Sequence, residues 1–297
     1  MASRALADLG YEAEASAFRR FAERTAAGRA ADLRVFYGVG GERRVPEWTA
    51  GHLRTPGASG PVLIGNDAGD QFQLDAYGHL VEQTWRWHRR GHSPDDEYWD
   101  FLVDLVDTTA ERWAEPDCGI WEWRGSPRHF VHSKGLCWAA LAHGLELAAD
   151  TGRSAPVERW RAARDDVRAA VEHDGFDAAR GTFVQAFGHA DLDAAVLRLP
   201  AAGFLAYDDP RMVATVDALR AELGEGGLLR RYSTDDGLPG REGAFLACSF
   251  WLVECLARQG RDAEAWSVFE RATANRPRSL AVAVARSKTL HASASRP

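Results

Sequence analysis

The sequence predicts an all-α protein in two layers, an α/α toroid with inner helices around an axis and outer helices wrapped around them. Three observations predict it. Helix-period segments dominate the 297 residues. They are of two kinds, half charged or apolar nearly all round, and the kinds alternate along the chain. A helix apolar on every side must be buried on every side. Finally, only Gly181 to Phe187 reads as a strand, half of a hairpin. An α-solenoid also stacks helices in layers, but no fixed-period repeat is present.

The helices follow in order. Ala5 to Ala26 is amphipathic. Asp70 to Arg90 places Leu74, Tyr77, Leu80, Val81 and Thr84 on one face. Asp95 to Trp113 starts at Ser93-Pro94-Asp95-Asp96, with Ser93 as N-cap and acids in the first turn. Ser133 to Asp150 ends before Gly152. Ala155 to Asp174 has Pro156 near its start, and Pro210 to Leu223 begins with proline after Asp208-Asp209. Glu242 to Gln259 closes at Gly260, and Asp262 to Ala274 is the last helix. The segments at 95–113 and 155–174 are half charged, so one face meets water. Those at 133–148 and 242–257 are apolar throughout. Long Gly- and Trp-rich loops, Phe36 to Gly69, Glu115 to His132 and Gly224 to Arg241, separate the helices. Loops of that length in a compact domain are usually functional or disordered, and their aromatic, arginine and acidic content disfavours disorder.

Composition narrows the function. The net charge of −7 and pI near 5.8 give no attraction to nucleic acid or to an anionic membrane. Met1 to Arg20 contains no apolar run of signal-peptide length. Cys118, Cys137, Cys248 and Cys255 form no CxxC pair, and reduced buried thiols point to the cytoplasm. Eleven tryptophans serve either a large core or sugar-stacking platforms.

Three constellations carry chemistry. Pro116 to Gly125 sets Glu122 between Trp121 and Trp123, with Arg124 two residues on. A carboxylic acid crowded by indoles keeps its proton more readily, as a general acid must; a structural Glu122–Arg124 pair is the other reading. Ile64 to Gly78 opens a helix with Gln71 and Asp75 four apart on one face and Gln73 beside them, a set that could hold sugar hydroxyls or cap the helix. Leu229 to Phe245 carries Arg231 and Glu242. Glu242 lies near the start of a buried helix, where the dipole favours a carboxylate, whether for binding or for capping. His129, His132 and Asp117 lack the spacing of a metal site, and no P-loop, GxSxG or GxGxxG is present.

Taken in order, Tyr37-Gly38-Val39, Gly65-Asn66 with Gln73 to Gly78, Trp121-Glu122-Trp123-Arg124-Gly125, His132-Ser133-Lys134, Asp208 to Arg211, and Glu242 to Phe245 with Cys248 to Leu252 resemble the bacterial family 15 glycoside hydrolases. That family includes glucoamylases, glucodextranases and trehalases. The resemblance covers about residues 5 to 274. It implies an (α/α)6 toroid with the active site in the loops at one end, and inverting exo-hydrolysis of a terminal α-glucosidic bond without a cofactor. Glu122 falls on the general acid and Arg231 on an arginine that binds the non-reducing glucose. Trp121, Gln73, Asp75 and Glu242 fall to substrate binding. Trehalose, maltose and isomalto-oligosaccharides are all open as substrates.

The sequence departs from that family at both ends. The family's base lies in a segment resembling A-N-D-L-G-L-L-x-E-E, whereas here Ala274-Asn275 is followed by Arg276-Pro277-Arg278-Ser279-Leu280 and no further acid. The expectation is a frameshift after Asn275, a partial toroid over 1–274 and an unrelated, disordered tail over 275–297. Met1 falls just after an Arg-Asp pair that grips the terminal glucose in the family. Hydrolysis is therefore expected to be impaired, the alternative being a non-catalytic carbohydrate-binding remnant.

Overall fold

A computed structural model of the chain describes residues 5, 6, 8–26, 29–53, 62–234 and 243–274. Within them lie eight α-helices: α1 (Glu12–Ala26), α2 (Asp75–His88), α3 (Asp96–Arg112), α4 (Val131–Thr151), α5 (Val157–Asp174), α6 (Pro210–Leu223), α7 (Leu246–Arg258) and α8 (Asp262–Thr273). The expected tail 275–297 and Glu242 lie outside the described residues.

Local chemistry sets most helix ends. The Asp95 carboxylate accepts from the Tyr98 N–H at 2.9 Å, so Asp95 and not Ser93 caps α3. Asp209 accepts from the Arg211 N–H at 2.9 Å, and Pro210 occupies the first turn of α6. Gly152 ends α4 in the left-handed conformation, φ 66°. α7 begins at Leu246, after non-helical residues 243–245, later than the apolar run suggests.

The layers alternate as the apolar patterning demands. α4 is buried nearly all round and packs between α2 on one side and α3 and α5 on the other. α3 turns Leu102, Leu105 and Val106 inward, and α5 turns Trp160, Val167 and Val171. A 3-10 turn, Ala194–Arg198, takes an inner place beside α6 and α7, and α8 covers α7 from outside. α7 meets the expectation of all-round burial only in part: Cys248, Leu252, Cys255 and Leu256 are buried, but Leu246 is exposed. α2 and α4 approach closely because Gly78 has no side chain; a Cβ there would stand 2.5 Å from the Leu136 carbonyl oxygen. The strand expected near Gly181 is Thr182–Phe183, paired antiparallel with Phe176–Asp177. No described helix is long and apolar enough to cross a membrane.

Candidate active site

The loop between α3 and α4 is closed at its neck by two backbone hydrogen bonds, Asp117 N–H to the Arg128 carbonyl (2.8 Å) and the reverse (2.9 Å). Asp117 is fully buried in that neck. Its Oδ2 accepts from the Leu74 N–H (3.0 Å), the Gly119 N–H (3.1 Å) and the Ser133 hydroxyl (2.8 Å). One oxygen thus joins the loop to the start of α2 and to the first turn of α4. Burial pushes the Asp117 carboxyl up to about 7, and the neighbouring Asp75 adds to the shift. Lys134, also fully buried, donates to the carbonyls of Trp113 and Glu115 at the end of α3. Burial lowers its pKa.

Glu122 stands on the loop with φ 55°, the one non-glycine residue with positive φ among those described. For a residue with a side chain, that conformation costs on the order of 1–3 kcal/mol and persists only where its surroundings enforce it. Here the Gln71 amide donates to the carbonyls of Glu122 (3.3 Å) and Trp123 (3.1 Å), and the Glu122 N–H reaches the Gly119 carbonyl (3.1 Å). The side chain is half-buried. Its Oε2 accepts from Asn66 Nδ2 at 2.8 Å, while Asn66 Oδ1 accepts from the Ala68 N–H at 2.9 Å and so fixes the amide. The Glu122–Arg124 pair does not form: Arg124 reaches Glu47 at 3.1 Å instead.

Trp121 points the other way. Its indole N–H donates to Asp193 Oδ1 at 2.7 Å, and its ring lies 5.8 Å from those of Phe245 and Trp251. The Arg231 guanidinium sits 5.3 Å from the Trp121 ring, 5.1 Å from Tyr232 and 5.7 Å from Phe245. Asp193 is buried and also accepts from the Ala195 N–H at 2.7 Å. Burial pushes it up to about 6, against the pull of these hydrogen bonds and of Arg231.

Gln73 and Asp75 border a separate space, a cavity of about 900 Å³ between α1 and α2. Both are buried. Asp75 Oδ1 has no hydrogen-bond partner, Oδ2 lies 3.8 Å from His79 Nε2, and burial raises the carboxyl. Gln71 and Asp75 do not share a helical face. A 3-10 turn (Asp67–Asp70) precedes Gln71, which is extended, and α2 starts only at Asp75. Gln71 serves the Glu122 loop, and Gln73 donates to Gln71 at 3.2 Å. The geometry therefore links Gln73, Gln71, Asn66 and Glu122 by hydrogen bonds, joins Trp121 with Arg231, and leaves Asp75 facing the cavity. Sequence reading missed Asn66, Asp117 and Asp193 as organisers. The Asn66 cap was legible; its reach to Glu122 was not. Among the described residues no cluster of His, Cys, Asp and Glu could hold a metal ion.

The sequence model for "Glycosyl hydrolases family 15" matches residues 1–293. A trehalase of Mycobacterium tuberculosis (strain ATCC 25618 / H37Rv) is 41% identical over 242 residues, 80% of this chain and 35% of the relative. A trehalase of Thermoplasma volcanium is 35% identical over 267 residues, 90% of this chain and 42% of the relative. The chain thus spans less than half the length of these relatives. A solved glycosidase variant in complex with glucose aligns with a TM-score of 0.61 and 24% identity, over 69% of this chain and 54% of the other. A bacterial glucoamylase complexed with acarbose aligns at 0.53 and 15%, over 67% and 35%. At such identities the structural likeness bears on the fold, and it supports the all-α toroid.

Proposed function

The chain belongs to glycosyl hydrolase family 15, and from that premise we propose that it acts on terminal α-glucosidic bonds by inversion, with trehalose as the favoured substrate. The observation that carries the chemistry is Glu122, enforced in a left-handed conformation, with one carboxyl oxygen held by Asn66. The trehalase relatives favour trehalose over maltose and isomalto-oligosaccharides.

In this reading Glu122 gives its proton to the glycosidic oxygen as the C1–O bond breaks. Water adds to C1 from the opposite face and loses a proton to a second carboxylate. Trp121 offers a ring to the C–H face of the sugar, with Arg231 beside it for hydroxyls. Gln73 and Asp75 supply further polar contacts, and Glu242 is assigned to the rim. The base stands about 6.5–9.5 Å from the acid in an inverting pair. The described carboxylates around the loop are otherwise engaged: Glu47 with Arg124, Asp117 with three donors, Asp193 with Trp121. Slow turnover with sugar binding retained is the outcome this reading expects. The four described thiols are free and buried, which agrees with a reducing cytoplasm.

The test is anomer-resolved glucose release from trehalose, maltose and isomaltose, read before mutarotation. Slow release of β-glucose from the attacked ring, and of equal α- and β-glucose from trehalose, is the expected result. Glu122→Gln should lower it by about a hundred-fold or more. An undiminished rate in Glu122→Gln removes that residue from the acid role.

A further inference from the structure

Trp121 and Arg231, assigned above to the sugar, come from two loops far apart in the chain, and one residue of a third element meets both. Asp193 immediately precedes the 3-10 turn Ala194–Arg198, whose five residues are all buried. Its side chain reaches the first loop: Oδ1 accepts from the Trp121 indole N–H at 2.7 Å. Its backbone reaches the second: Asp193 pairs antiparallel with Tyr232, and the Ala194 N–H donates to the Arg231 carbonyl at 2.8 Å. The two sugar-facing side chains are therefore brought together on this turn.

Asp193 is itself held in place. Oδ1 also accepts from the Ala195 N–H at 2.7 Å, which caps the turn, and Oδ2 accepts from the Gln185 amide at 3.4 Å. Gln185 Oε1 accepts in turn from Arg128 at 3.4 Å and from the Thr234 hydroxyl at 3.3 Å, so the network returns to both loops. Ring contacts let an indole slide and turn: Phe245 and Trp251 lie 5.8 Å from Trp121. A hydrogen bond is directional and fixes which edge of the ring points inward. The Arg231 guanidinium, 5.3 Å from that ring, is seated against it. Glu122 has different supports, Asn66 and Gln71.

We propose that Asp193 is a positioning residue, which sets sugar affinity through Trp121 and Arg231 and leaves proton delivery to Glu122. The assignment rests on the sugar contacts of the reading above, not on its acid. Contacts made equally in the bound and the reacting sugar lower KM without raising kcat, so their loss is read in KM.

The experiment compares the full chain with Asp193→Ala and Asp193→Asn, using trehalose as the probe. Asparagine keeps an oxygen for the Trp121 and Ala195 N–H groups; alanine offers none. Glucose release should show KM raised about ten-fold or more in Asp193→Ala, with kcat within about three-fold of the parent. Asp193→Asn should stay within about three-fold of the parent in both. Partial unfolding gives the reverse pattern, a kcat lowered with the active fraction and an unchanged KM. Isothermal titration with trehalose should give the same order of affinities without turnover. Parent-like KM and binding in Asp193→Ala, a fall in kcat alone, or an asparagine variant as impaired as the alanine one overturns the assignment. An undiminished rate in Glu122→Gln beside the expected order removes the acid and still supports Asp193. A parent chain that binds no trehalose overturns the assignment together with the sugar contacts.

Discussion

Asp117 takes three hydrogen bonds on one oxygen and leaves the other, Oδ1, buried without a partner. Its carboxyl releases a proton near about 7 in the fold and near about 4 in the unfolded chain. Between those values the folded state binds more protons. The stability this group contributes is full below pH ~4 and is lost as the pH rises through ~7. Asp117→Asn keeps an oxygen for the three donors and removes the titration. Denaturant melts from pH 5 to 8 should show the parent chain losing stability relative to this variant; parallel curves would refute the assignment. At Asp193 the expectation differs. Asp193→Ala strips the acceptor from the half-buried Trp121 indole and should cost about 1 kcal/mol, with a change in tryptophan emission; an unchanged melt and spectrum would contradict it. Glu122 and its tryptophans could be picked out of the sequence because carboxylate and indoles are adjacent in the chain. Asn66, 56 residues away, could not, since its bond to Glu122 exists only once the two loops meet.

Where the elements meet, α2 and α4 depend on Gly78. Gly78→Ala places a methyl against the Leu136 backbone, which cannot yield as a side-chain tip does, and should cost about 3 kcal/mol. A thermal melt measures this, and a drop below about 0.5 kcal/mol would mean that the crossing adjusts freely. Helix starts fixed by their own caps, at Asp95 and Asp209, lay within a residue or two of where the sequence suggested. The start of α2 did not. The Leu74 N–H is tied to Asp117, 43 residues further on, and no periodicity in 66–78 carries that information. The same tie separates Gln71 from Asp75, which a continuous helix would have aligned.

Across the whole molecule, alternation of half-charged and apolar helices was enough to give two layers, because burial on all sides leaves α4 no other place. That pattern does not name the partner of α1, since an amphipathic stripe looks the same whatever covers it. The chain has two lysines, and Lys134 is sealed at the junction of α3 and α4 with its ammonium on two carbonyls. Reagents that acylate primary amines should therefore leave Lys134 of the intact protein unmodified. Lys134 should become reactive only when that junction opens, so its modification, followed by mass spectrometry, makes a built-in gauge of unfolding without an added dye or tag.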